Sequence, residues 1–145
     1  MIGYLDTSAF VPLLVAESTS AQCRRFWDDA DAVVSNRLLY VEAAAALAQA
    51  RRMGRLSVRA HRVSRQRVDE LWAQLHVAEV DQSAVARAAE LADRFGLRGY
   101  DAVHCACAEQ LITEDVVAAT GDRQLLDTWS TLGLATYDPN LASSP

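Results

Sequence analysis

Short apolar runs alternate with stretches of helical periodicity along the whole chain. Met1–Leu5 is apolar and stops at Asp6, which predicts a buried strand. Asp6, Thr7 and Ser8 offer capping side chains for a helix over Ala9–Ala16, with Pro12 tolerable in its first turn. A second helix is expected over Ser18–Asp29, where Cys23, Phe26 and Trp27 fall at helical spacing. Ala32–Ser35 predicts strand two, and Leu38–Met53 the strongest helix, closed by Gly54. Ser57 can cap a helix over Val58–Gln74, with Ser64, Val68, Leu71, Trp72 and Leu75 on one face and Arg59, Arg62 and Gln66 opposite.

The second half repeats the alternation. Leu75–Val80 predicts strand three, and a helix opening at Asp81 runs through Phe95 to a stop at Gly96. Helices over Asp101–Leu111 and Arg123–Leu132 flank strand four, Val116–Ala119. Gly133 ends the last helix before strand five, Leu134–Tyr137, and residues 142–145 read as a loose tail. This order implies an α/β fold: a parallel five-stranded sheet with helices on both faces, forming one domain over residues 1–145. Ligands of such sheets bind beyond the carboxyl ends of the strands.

Composition narrows the class. With 51% hydrophobic and 23% charged residues, the chain can build its own core, which excludes disorder for its bulk. Its longest uncharged stretches reach ten residues, against about 20 for a membrane span. Asp6 follows the start at once with no basic segment before it, so no export signal is expected, and three cysteines then suit a reducing cytoplasm. All 14 basic residues are Arg, and seven of them lie between Arg51 and Arg67 without an acid. That segment is +7, leaving −12 on the rest of a chain whose total is −5. Segregated charge of this kind suits either nucleic-acid binding or a solvated helix pair.

The polar residues at the predicted strand ends are carboxylates. Asp6 follows strand one, Glu42 lies early in the helix after strand two, Asp101 opens the helix before strand four, and Asp122 follows strand four. Singly, the three aspartates suit helix N-caps and Glu42 a first-turn acid. Glu42 suits that role least, because it interrupts the apolar run from Leu38 to Ala48. Together at one sheet edge they would repel one another unless a divalent cation sat between them, and hard oxygen donors suit Mg2+ or Mn2+. Cys105 and Cys107, two apart on a helix, point to nearly opposite faces, so with His104 they make a poor zinc site and read as core packing. His61 and His76 have no partner at useful spacing, and no glycine-rich phosphate loop is present.

Four segments in order, Tyr4-Leu5-Asp6-Thr7-Ser8-Ala9, the isolated Glu42, Arg98-Gly99-Tyr100-Asp101-Ala102-Val103-His104 and Ala119-Thr120-Gly121-Asp122-Arg123, resemble the motifs of PIN-domain ribonucleases. The nearest resemblance is to the single-domain VapC toxins of VapBC toxin–antitoxin systems, and it spans essentially the whole chain. It implies a Mg2+- or Mn2+-dependent endoribonuclease acting on structured RNA such as tRNA or rRNA and leaving 5′-phosphate ends. It also implies a homodimer and a VapB antitoxin that obstructs the acidic pocket. The family's four acids fall on Asp6, Glu42, Asp101 and Asp122, and its accompanying hydroxyls on Ser8 and Thr120. Arg55, Arg59 and Arg62 are then candidates for RNA phosphates, and Phe10, Leu13, Leu14 and Trp27 either receive the antitoxin or pack in the core.

Two other classes fit parts of the pattern. A phosphotransfer or phosphatase domain on a similar sheet also carries an Asp after strand one. Such domains typically use a Lys, which this chain lacks, and the hydrolase type has a second Asp where Ser8 stands. A PIN-like module that binds RNA or a partner without catalysis would keep the fold.

Overall fold

A computed structural model describes residues 1–141, so the tail expected to be loose, 142–145, lies outside the described residues. The strands are β1 (Ile2–Leu5), β2 (Ala32–Asn36), β3 (His76–Ala78), β4 (Val116–Ala119) and β5 (Ala135–Tyr137). The helices are α1 (Thr7–Phe10), α2 (Ser20–Asp29), α3 (Leu39–Arg52), α4 (Val58–Trp72), α5 (Gln82–Phe95), α6 (Gly99–Glu109) and α7 (Arg123–Thr131). All strand pairings are parallel, in the order β3-β2-β1-β4-β5, as the alternating pattern predicts. Among the described residues, no helix is long and apolar enough to cross a membrane.

Strand side chains alternate between faces, and that alternation divides the core in two. Tyr4, Val34 and Ala118 point to one side, where α5, α6 and α7 bring Leu91, Cys105, Cys107, Leu125 and Trp129. Leu5, Val33 and Ala119 point to the other, where α1 to α4 bring Phe10, Phe26, Leu39, Leu47, Val68 and Leu71. Cys105 and Cys107 are thus free, buried core residues, like Cys23. Phe10, Leu13, Leu14 and Trp27 are buried in the second core, which withdraws them as a docking surface.

The element limits differ from expectation where backbone chemistry intervenes. The helix expected to reach Ala16 ends after Phe10 and tightens into a 3-10 turn over Val11–Leu13. Pro12 has no N–H for an α-helical bond, and its ring crowds the carbonyl four residues back. β3 starts at His76 because the Leu75 N–H still closes the turn onto Trp72 O at 3.1 Å. Gly96, at φ 70°, caps α5 in the left-handed conformation and lets the chain turn into α6. α6 begins at Gly99 with Arg98 as its cap residue, which puts Asp101 inside the first turn and not at the cap.

Candidate active site at the switch point of the sheet

The chain adds β2 and β3 on one side of β1 and then crosses to add β4 and β5 on the other. The crevice between the ends of β1 and β4 is therefore the topological switch point, the place where open α/β sheets bind ligands. Leu5 and Ala119 are register partners, so the next residues, Asp6 and Thr120, meet at the mouth of that crevice.

Asp6 is buried, and both its oxygens are engaged. Oδ1 accepts from the backbone N–H of Ala9 at 3.0 Å, capping α1, and from the Ser8 hydroxyl at 2.7 Å. Oδ2 accepts from the Thr120 hydroxyl. Each hydroxyl in turn accepts a backbone N–H from the loop after β4: Ser8 Oγ from Gly121 at 2.8 Å, and Thr120 Oγ1 from Asp122 at 3.1 Å. Ser8 and Thr120 thus tie the loop that carries Asp122 to the carboxylate of Asp6. Burial pushes the Asp6 carboxyl above its ordinary range, and these three donors pull against it. Asp122 is exposed and caps α7, its Oδ1 accepting from Leu125 N–H at 3.0 Å. The capping role expected for Asp6 and Asp122 is therefore real, and each carboxylate keeps lone pairs beyond it.

Glu42 lies in the first turn of α3, its carboxylate largely buried. Its Oε1 is 2.9 Å from His104 Nε2. His104 is itself buried, with Nδ1 at 2.9 Å from the Tyr4 hydroxyl and 3.1 Å from Asn36 Nδ2. Sequence reasoning set His104 aside beside the cysteines and missed Tyr4 and Asn36. The available signal was its position three residues after Asp101, on the same helix face. Asp101 is half-buried. Burial, and then the negative charges of Asp122 and Glu42, raise its carboxyl from the ordinary value. Asp122 and Glu42 therefore lie close enough to Asp101 for their charges to act on it.

Every candidate donor here is a hard carboxylate oxygen. Among the described residues, no three His, Cys, Asp or Glu side chains converge tightly enough to form a ready-made cage. Mg2+ keeps several waters and binds through one or two carboxylates instead of an all-protein cage. This open set of acids fits that mode.

The arginine segment divides into two groups. Arg65 lies over the Tyr40 ring at 4.9 Å and pairs with Asp69, and Arg67 donates to the Leu13 carbonyl at 3.0 Å, so both brace α4. Arg51 and Arg52 at the end of α3, Arg55 in the turn after it, and Arg59 and Arg62 on the outer face of α4 are exposed.

Residues 3–128 match the PIN domain, and the chain belongs to the PIN-domain family. Within it the chain is similar to the ribonuclease VapC45 of Mycobacterium tuberculosis, at 38% identity over 122 residues, covering 84% of this chain and 85% of that protein. The structure resembles that of FitAcB from Neisseria gonorrhoeae, with a TM-score of 0.72 at 18% identity over 97% of this chain and 99% of that one. It also resembles a chain of a toxin–antitoxin complex from Klebsiella pneumoniae, with a TM-score of 0.63 at 13% identity over 94% and 97% of the two chains. At such identities the structural likeness establishes the fold.

Proposed function

We propose that this chain is a Mg2+- or Mn2+-dependent endoribonuclease and the toxin of a type II toxin–antitoxin pair. The observations that support the reading are the network by which Ser8 and Thr120 tie Asp6 to the loop of Asp122 at the switch point and the raising of Asp101 by burial and by the charges of Asp122 and Glu42. A bound divalent cation supplies a nucleophilic water at neutral pH and neutralises charge on the phosphoryl oxygens. The residues of the chain hold and orient. Asp6 and Asp101 are the core ligands, and Glu42 and Asp122 bind directly or through water. Ser8 and Thr120 fix the rotamer of Asp6 through the hydrogen bonds described above.

An acidic pocket repels a polyanion, so RNA must be drawn in by positive charge elsewhere. The exposed Arg55, Arg59 and Arg62 supply it in this reading, with tRNA or rRNA as substrate. The similarity to the ribonuclease VapC45 and to a chain of the Klebsiella toxin–antitoxin complex supports an antitoxin partner, and the family resemblance a VapB-type one and a homodimer in the cytoplasm. Because Phe10, Leu13, Leu14 and Trp27 are core, they do not supply the apolar seat for that partner.

The test is direct. Purified protein incubated with total RNA should release fragments bearing 5′-phosphate ends with Mg2+ or Mn2+ and none in EDTA. Fragmentation that persists in EDTA, or RNA that stays intact with either metal, would overturn the reading.

A further inference from the structure

We propose that His104 is a positioning residue that aims the Glu42 carboxylate into the site from an imidazole carrying its proton on Nε2. The proposal rests on the reading of the four acids as a metal site.

The tautomer follows from a chain of donors. The backbone N–H of Leu38 donates to Asn36 Oδ1 at 2.8 Å, which fixes the orientation of that amide. The Asn36 Nδ2 group then faces Tyr4 Oη at 3.2 Å and His104 Nδ1 at 3.1 Å. An amide NH2 has only donors to offer, so Nδ1 must present its lone pair and the ring proton must reside on Nε2. From there it donates to Glu42 Oε1 at 2.9 Å, with Thr7 Oγ1 a longer neighbour at 3.4 Å. Tyr4, Asn36 and His104 are all fully or almost fully buried, and they belong to β1, β2 and α6. Three rigid elements therefore converge on one side chain of a fourth, α3. A glutamate on a helix otherwise samples several rotamers, and a fixed donor removes that freedom before any ligand arrives. The carboxylate–imidazole–amide relay is the kind of outer support that holds metal ligands in place, here with the carboxylate as the ligand and the histidine behind it.

A histidine that only filled core volume would make different predictions. Two variants separate the cases: His104→Phe keeps an aromatic ring and loses the donor, whereas His104→Gln keeps a donor on a flexible stem. Mn2+ is titrated calorimetrically into the metal-free wild type and both variants, with melting temperatures recorded in EDTA. His104→Phe should weaken Mn2+ binding roughly 10- to 100-fold, the usual cost of losing an outer-shell partner, and His104→Gln should recover part of it. Unchanged Mn2+ affinity in a folded His104→Phe protein would overturn the proposal. If His104→Phe fails to fold, the ring spectrum of the wild type decides: a 15N–1H correlation with the proton on Nε2 supports the assignment, and one on Nδ1 overturns it. A wild type that binds no Mn2+ would defeat the metal-site reading, while the ring spectrum would still report on His104.

Discussion

Replacing Thr120 by Val tests the most buried link in the site. The two side chains have nearly the same shape, and Thr120 is fully buried, so packing is conserved while the hydroxyl is lost. That hydroxyl donates to Asp6 Oδ2, a carboxylate with 3% exposure and little access to replacement water. Hydrogen bonds to charged groups contribute about 1.5–3 kcal/mol. The second bond, from Asp122 N–H at 3.1 Å, adds less because Asp122 is exposed and water can take the place of the oxygen. We expect a net loss of about 2–3 kcal/mol at neutral pH, or a melting temperature lower by about 6–12 °C for a domain of this size. Donation to the ionised form lowers a carboxyl pKa, so its loss drives the already raised Asp6 carboxyl further up. The stabilisation from this bond is present while Asp6 is ionised and fades as pH falls through its folded pKa. Urea unfolding of both proteins across the carboxyl range should show the gap closing toward acid. A difference below about 0.5 kcal/mol at neutral pH, or one that widens toward acid, would refute the reasoning.

Other expectations follow from the charges. The raised carboxyl of Asp101 means its ionised form is disfavoured in the fold, so Asp101→Asn should melt higher than wild type in EDTA at neutral pH. Because the folded value lies above the ordinary 3.8, that advantage should shrink as pH falls through it and disappear below 3.8; an equal or lower melting temperature at neutral pH would contradict this. Mn2+ should raise the melting temperature of the wild type more than that of Asp101→Asn, since it stabilises only the state that binds it, and equal shifts would remove Asp101 from the site. Replacing Arg55, Arg59 and Arg62 by Gln in an inactive background should flatten the slope of log affinity against log salt by about 2, at about 0.7 per phosphate contact on single-stranded RNA. An unchanged slope in filter binding would assign these arginines to the antitoxin or to solvent.

What could be read in the sequence was what local chemistry dictates. The apolar run ending at Asp6 and the Thr120-Gly121-Asp122 turn after strand four announced two of the acids, because strand ends are punctuated by polarity. Glu42 stood out as a charge inside an apolar helix, and its partly buried place explains why. Tyr4 and His104 stand in the quoted segments, but their link to each other and to Asn36 was not legible because it is tertiary: they are brought together only by the pairing of β1 with β2 and by α6 packing on the sheet. Each alone is a polar or aromatic residue in an apolar segment. Helix limits failed where the backbone was decisive, at Pro12, and at Gly99, whose low helix propensity hid the first turn of α6. For Phe10 and Trp27 the sequence left core packing and a docking face both open, since spacing reveals an apolar face and not what covers it.

The central claim is that the carboxylates at the switch point carry RNA hydrolysis. Asp6→Asn and Asp101→Asn, each shown by circular dichroism and melting to be folded, should be compared with wild type on total RNA in Mn2+. The account predicts fragments with 5′-phosphate ends from wild type and loss of cleavage in both variants. Near wild-type cleavage by either folded variant would contradict it.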